Sequence, residues 1–362
     1  MNFHIPTKVY FEDNVLDKNG HEIVKYGKKA LIVTGKKSAE KSGVINDLLP
    51  VLEKHTIKYA VYSEIMENPD ILIIEKGKEV LLSQNCDFII AIGGGSPMDA
   101  GKAISIMGAN NLSLDSLYDP SKHIIAFPII AIPTTSGTGS EVTQYSVLNN
   151  HITNSKAGFG SELMFPKIAF LDAKYTLSLS KTVTRDTAID ALSHLLEGLY
   201  SNKYNEYLLP FIYKGIALIY NTLSKSLDDL DDLFYRKSLM LAANYGGIVI
   251  AHTSTTLQHS IGYPLTTVYG LSHGLANGVV MKEIMDLYEP HIKDKLHGLF
   301  DYLKIDKLDF FSWLDSFEMT FKHKITEEFL QTRIPEVMKS RNMALNPCSI
   351  SEKEIEDIYR RL

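Results

Sequence analysis

Short unbroken apolar runs alternate with longer stretches of helical period through the first half of the chain. Lys29–Thr34, Tyr59–Tyr62, Phe88–Ile92 and Phe127–Ile132 have strand length and no polar interruption of helical spacing. Between them, Ala39–His55, Ile71–Leu82 and Pro97–Met107 read as helices; in the first, Val44, Ile45, Leu48, Leu49 and Leu52 form the apolar stripe. Continuous apolar strands separated by helices predict a doubly wound, mostly parallel sheet covered on both faces. Such sheets bind ligands at the carboxyl ends of their strands. After about Ser180 the strand signals fade, and Thr187–Tyr200, Tyr204–Leu223, Leu230–Thr253 and Glu327–Lys339 all carry helical periodicity. The expected architecture is an α/β domain over residues 1–180 and an all-α domain over 181–362, with a cleft between them. The acidic stretch Asp228–Asp232 reads as a solvated loop or helix end. Phe310, Trp313, Phe317 and Phe321 follow helical spacing and read as core.

Composition narrows the function more than the fold. A length of 362 residues suits about two domains. With 45% hydrophobic and 22% charged residues the chain is globular, not disordered. Lys and Arg number 37 against 43 Asp and Glu, a net charge of −6, which argues against nucleic-acid and anionic-membrane partners. The two cysteines, Cys86 and Cys348, form neither a disulfide framework nor a cysteine metal cluster. No apolar targeting segment opens the sequence and no long apolar window follows. A soluble cytoplasmic protein is expected.

Two glycine-bearing loops follow predicted strands. Phe88–Ile92 runs into Gly93-Gly94-Gly95-Ser96-Pro97-Met98-Asp99. Glycines let backbone approach a ligand closely. Ser96 is placed as an N-cap, Pro97 as the first helical residue and Asp99 as the capping-box partner. The following helix would point free N–H groups at an anion such as a pyrophosphate. On this segment alone, a bare strand–helix turn fits equally well. Phe127–Ile132 then leads into Pro133-Thr134-Thr135-Ser136-Gly137-Thr138-Gly139, with four hydroxyl side chains and two glycines between Thr134 and Gly139. Two such loops on one sheet favour a dinucleotide.

The helical half holds candidate metal ligands. Asp190 and His194 are four residues apart, so carboxylate and imidazole share one helix face. That pair alone is common on helix surfaces. His259 and His273 lie either side of Gly262 and Pro264, which are expected to break the helix and let the chain fold back. One carboxylate and three imidazoles suit a divalent cation with room for a substrate oxygen. His252 could approach through its seven-residue spacing to His259, but reads better as a packed helical residue. His4, His21, His55, His123, His151, His291, His297 and His323 have no partner at ligand spacing.

Taken in order, these segments resemble the iron-containing (group III) alcohol dehydrogenase family. The resemblance runs from Ile5-Pro6-Thr7-Lys8-Val9 through Glu67-Asn68-Pro69-Asp70 and GGGSPMDAGK at Gly93–Lys102. It continues through PTTSGTGSEVT at Pro133–Thr143, Phe170-Leu171-Asp172, DALSHLLE at Asp190–Glu197 and SHGLAN at Ser272–Asn277. It implies a dehydroquinate synthase-like architecture, a dinucleotide-binding α/β domain followed by a helical one. It also implies that Gly94, Gly95 and Ser96 hold the cofactor pyrophosphate. Asn68, Asp99, Thr134, Thr135, Thr138, Thr143 and Lys156 would complete the nucleotide site. Asp190, His194, His259 and His273 match the metal ligands, with Fe(II) the usual ion and Zn(II) the alternative.

Two positions depart from the family pattern. Gly35 stands where many members carry an aspartate, and Lys36, Lys37 and Ser38 follow. NADP(H) is therefore expected to be preferred over NAD(H), or at least accepted. Tyr263 stands where many members carry a further histidine near the nicotinamide. With a reference pKa of about 10 it is a poor base at neutral pH, so a role in orienting substrate or shaping the pocket is expected. The implied reaction is hydride transfer between nicotinamide and a small primary alcohol or aldehyde, with the metal polarising the substrate oxygen. A zinc-dependent polyol dehydrogenase, a sugar-phosphate cyclase and a non-catalytic nucleotide-binding scaffold are the alternatives. Dimers are common in the family.

Overall fold

The structure, a computed structural model, describes residues 3–150 and 155–362. His151 lies outside the described residues. The strands are β1 (Lys8–Phe11), β2 (Lys29–Gly35), β3 (Lys58–Ile65), β4 (Phe88–Gly93), β5 (Ile129–Pro133), β6 (Tyr145–Asn150), β7 (Ser155–Gly160) and β8 (Ile168–Leu171). Six form one sheet in the order β1-β8-β5-β4-β2-β3, and every pairing in it is parallel. β6 and β7 form a separate antiparallel pair. Helices of this half are α1 (Val15–Asn19), α2 (Ser38–Lys41), α3 (Val44–Lys54), α4 (Ile71–Ser83) and α5 (Gly95–Asn110).

Alternation along the strands supplies two buried faces. Leu31, Val33 and Ile89 pack with Ile74, Leu81, Ile104 and Met107 of α4 and α5. Ala30, Ile32, Phe88 and Ile90 point the other way, onto Val15, Leu16, Leu48 and Leu52 of α1 and α3. The sheet is therefore doubly wound. Strand order reverses between β2 and β4, so Gly35 and Gly93 flank the crevice where such folds bind ligands.

The second half is helical: α6 (Lys181–Tyr200), α7 (Leu209–Asp228), α8 (Leu233–Thr253), α9 (Leu257–Tyr269), α10 (His273–Gly278), α11 (Met281–Leu303), α12 (Lys307–Asp315), α13 (Glu327–Met338) and α14 (Glu352–Arg360). They share one apolar core centred on Leu192, Leu195, Ile216, Leu257, Ile261, Met281 and Tyr288. Asp228 ends α7 and Asp232 caps α8, as the acidic stretch suggested.

Several elements differ from expectation. The helix expected over Ala39–His55 is two helices, because Gly43 sits in the left-handed region at φ 79°. Ser96 and Asp99 form no capping box: the cap position is Gly94, and α5 starts at Gly95. Asp99 instead accepts from the Ser140 hydroxyl and the Val147 N–H, both at 2.9 Å. Gly262 and Pro264 do not break the helix after His259, since α9 runs through both. Gly262 packs where a Cβ would strike the Asn277 side chain, so it serves close approach of α9 and α10. α12 ends at Asp315, so Phe317 and Phe321 join the core from beyond it rather than along one helical stripe.

Candidate active site

The cleft between the sheet's carboxyl edge and the helices is a cavity of about 1840 Å³. Gly35, Lys36, Lys37, Ser38, Asn68, Gly94, Gly95, Ser96, Asp99, Thr135, Thr138, Thr143 and Lys156 all line it. Thr134 is not among the lining residues; it is buried, and its N–H donates to the Gly93 carbonyl at 2.9 Å. No side chain caps the first turn of α5, so its leading amides are left to a ligand or to water. The two loops press together: a Cβ on Gly94 would lie 3.0 Å from the Thr135 hydroxyl, and one on Gly95 2.7 Å from the Thr138 methyl. A side chain at 95 would therefore force Thr138 to shift, and one at 94 would crowd Thr135.

Two lysines organise this wall. Lys102 is fully buried, and its ammonium donates to the Ser140 carbonyl and hydroxyl, the Thr143 hydroxyl and the Tyr145 carbonyl at 2.7–3.0 Å. Burial pushes its pKa down to about 8 against the pull of Asp99 and Glu141. In the sequence Lys102 stands out only as the end of the GGGSPMDAGK segment, although its place three residues after Asp99 puts both on one face of α5. Lys156 donates to Asn68 Oδ1 at 2.7 Å and lies 5.3 Å above the Tyr263 ring. Burial lowers it to about 8 as well. At the far end, Lys36 approaches Glu64 at 4.0 Å, with both side chains exposed.

The four candidate metal ligands converge from three helices. The Nε2 atoms of His273, His259 and His194 lie 3.5, 3.7 and 4.0 Å from a single oxygen of Asp190. Donors about 2.1 Å from a shared tetrahedral ion would be roughly 3.4 Å apart. Asp190, His259 and His273 bring their ligand atoms within 4.8 Å of one another and fit a divalent cation, whereas His194, 4.0 Å from the Asp190 oxygen, stands outside that group and must move inward to complete the set. Asn277 Nδ2 points at the same atoms, 3.1 Å from Asp190 Oδ1, 3.2 Å from His259 Nε2 and 3.4 Å from His273 Nε2. These acceptors therefore already face a positively polarised group. Burial raises the Asp190 pKa, but the three imidazoles outweigh it and hold the carboxyl below its ordinary value. Burial lowers His194, and lowers His273 strongly, which favours the neutral, ligating form.

Glu197, like Lys102 and Asn277, is a residue that sequence reasoning missed. It lies seven positions after Asp190, two turns along the same face of α6, fully buried. One oxygen accepts from the Thr256 N–H and hydroxyl at 2.7 and 2.8 Å, and the other meets His259 Nδ1. Burial opposes protonation of His259, yet Glu197 raises its pKa overall. The contact fixes which ring nitrogen is free to face Asp190. Period seven from a candidate ligand was the available signal.

Tyr263 stacks on His273, with centroids 5.7 Å apart and planes 12° apart, and meets His259 edge-on at 6.1 Å. Burial pushes its phenol well above the ordinary value, so it stays protonated at neutral pH. His252 takes no part among these donors: its ring lies against Phe3 and accepts from the His4 N–H at 2.9 Å.

Two family descriptions cover nearly the whole chain: iron-containing alcohol dehydrogenase over residues 6–173, and the C-terminal part of the Fe-containing alcohol dehydrogenase family over 184–362. The chain belongs to the iron-containing alcohol dehydrogenase family. It is therefore an oxidoreductase with the family's parallel-sheet and helical halves. NADH-dependent butanol dehydrogenase A of Clostridium acetobutylicum is 32% identical over 289 residues, 78% of this chain and 74% of the relative. A 1,3-propanediol dehydrogenase of Citrobacter freundii is 27% identical across 99% of this chain and 97% of its own. The crystal structure of an iron-containing alcohol dehydrogenase from Thermotoga maritima superimposes with a TM-score of 0.94 at 35% identity, covering 99% of this chain and 98% of that one. No helix among the described residues is long and apolar enough to cross a membrane.

Proposed function

We propose that this family member is an NAD(P)-linked alcohol dehydrogenase and aldehyde reductase for small primary alcohols, with the division between its halves at residues 180 and 181. The observation that carries the reading is the meeting of Asp190, His194, His259 and His273 in the cleft that also carries both glycine-bearing loops. A divalent ion held by those four, Fe(II) or Zn(II), supplies Lewis-acid polarisation of the substrate oxygen, and the nicotinamide supplies the hydride chemistry. The chain's own residues do the rest. Gly94, Gly95 and Ser96, with Asn68, Asp99, Thr134, Thr135, Thr138, Thr143 and Lys156 around them, hold the nucleotide, Thr134 acting through the backbone from beneath the cleft surface. Glu197 and Asn277 orient the ligating side chains. Tyr263, kept protonated, shapes the pocket and orients substrate through its ring and hydroxyl rather than removing a proton.

Gly35 offers no carboxylate to repel a 2′-phosphate, and Lys36 and Lys37 line that end of the cleft, so we propose that NADP(H) is preferred. Glu64 beside Lys36 moderates the preference. Cytoplasmic residence and a dimer complete the proposal; the free thiols Cys86 and Cys348 suit a reducing compartment. The test is a spectrophotometric screen of short alcohols and aldehydes with each cofactor, after reconstitution with Fe(II) or Zn(II). Metal-dependent turnover, with kcat/KM for NADPH above that for NADH, is the expected result. Full turnover by metal-free protein contradicts the site, and a tenfold advantage for NADH, about 1.4 kcal/mol the other way, contradicts the cofactor preference alone.

A further inference from the structure

The same cavity extends past the ligand helices to a mouth lined by cations. Lys203, Lys339 and Arg341 all line it, from two segments far apart in sequence. Hydrogen bonds hold those segments together and to the metal-ligand helix. The Asn202 side chain donates to the Ala344 carbonyl at 2.7 Å, and its N–H donates to the Leu345 carbonyl at 2.9 Å. Asn342 donates to the Thr255 hydroxyl at 2.9 Å. Ser340, between the two cations of the second segment, meets the hydroxyl of Ser260 at 2.9 Å. Ser260 directly follows the candidate ligand His259. The cationic loop is therefore braced on the turn that presents an imidazole to the candidate ion.

These charges are free for a ligand. None of Lys203, Lys339 and Arg341 forms an ion pair with a described residue within 4.0 Å, and Glu336, the acid lining the same segments, is already held by Arg333 at 2.6 Å. In a chain of net charge −6, three unpaired cations at one cavity mouth make a local field that gathers anions. The nucleotide-holding residues proposed above come from the sheet half, whereas these cations come from the helical half and are tied to the residue after His259, so this part of the cavity is assigned to the substrate.

We propose that the substrate is an alcohol or aldehyde bearing an anionic group, a carboxylate or a phosphate, at the end remote from its reacting oxygen. The reacting end enters toward Asp190 and the three imidazoles, and the anion stays at the mouth against Lys203, Lys339 and Arg341. This inference rests on the dehydrogenase reading and names its substrate class. Exposed ion pairs are individually modest, so three together give a preference of about tenfold, sensitive to salt.

The experiment uses matched pairs on the reconstituted full-length enzyme: butanal against 4-oxobutanoate, and glycolaldehyde against glycolaldehyde phosphate. The expected kcat/KM ratio is about tenfold or more for the anion in one pair, which identifies carboxylate or phosphate as the group taken. The Lys339→Glu/Arg341→Glu double variant, at two exposed positions, is expected to bring that ratio to one or below, mainly through KM, and added salt to lower it in the native enzyme. Turnover of the neutral aldehydes with ratios at or below one overturns the inference while leaving the dehydrogenase reading intact. A ratio that survives charge reversal also overturns it. Absence of turnover in all four arms removes the dehydrogenase reading, and the inference with it.

Discussion

At the scale of single residues, the site depends on side chains that fix imidazole rings by different means. His259 is oriented by the Glu197 carboxylate, whereas His273 Nδ1 has no hydrogen-bond partner among the described residues and its ring instead stacks on Tyr263. Glu197→Gln should weaken metal binding by roughly 10–100-fold, the usual cost of losing such a partner. For Tyr263, the Phe variant keeps the stack and should hold metal nearly as well, while Ala should lose about tenfold. Chelator competition on the apo protein measures all three. Equal metal affinity in Tyr263→Ala and the native chain would show that the stack is incidental. Asp190, His194 and His273 stand out in the sequence as candidate ligands through the DALSHLLE and SHGLAN settings, and His259 through its residue type near Gly262 and Pro264. Glu197 offered only its period-seven spacing, a weak signal, because a helical glutamate two turns from a candidate ligand is ordinary until burial shows it has no water to face.

At the scale of elements, strands buried on both faces were legible because their apolar runs are continuous. The half-exposed edge strand β3 was also legible at Tyr59–Tyr62. β1, the β6–β7 pair and β8 were not: β1 and β8 have only four residues each, and β6–β7 mixes polar and apolar positions. Turn and helix-end details were misjudged where tertiary contact overrides local preference. Gly262 and Pro264 look like breakers, yet buried Leu257, Ile261 and Leu265 keep α9 continuous. The Thr-rich loop is seated in the same way: a Cβ on Gly247 of α8 would run into the backbone of Gly139. Gly247→Ala should therefore cost about 1–3 kcal/mol, because backbone cannot yield as a side chain can. Chemical denaturation reads this as a lower midpoint; an unchanged midpoint would mean that the loop can lift away without penalty.

At the scale of the whole molecule, one buried cation ties the nucleotide wall together. Lys102 bonds the Thr-rich loop and β6 from inside α5, with its pKa reduced from 10.5 to about 8. Between those values the unfolded chain binds more protons than the folded one, so this group makes stability rise as pH increases from about 8 to about 10.5. Below pH 8 it adds no slope. Lys102→Met should remove that rise, seen as the difference between the two proteins' denaturation free energies across pH; parallel curves would place the ammonium in water. The architecture itself followed from rhythm alone, parallel sheet then helices, but the cleft's second, cationic mouth depends on loops at 202–203 and 339–345 meeting in space, which no local pattern announces.

Convergence of Asp190, His194, His259 and His273 on one ion is the claim beneath the rest. Anomalous diffraction at the iron edge, from crystals of protein reconstituted with Fe(II), tests it directly. The predicted result is a single strong peak about 2.0–2.3 Å from an Asp190 oxygen and from the Nε2 atoms of the three histidines. A peak elsewhere, or none at this position in protein that retains iron, would contradict the account.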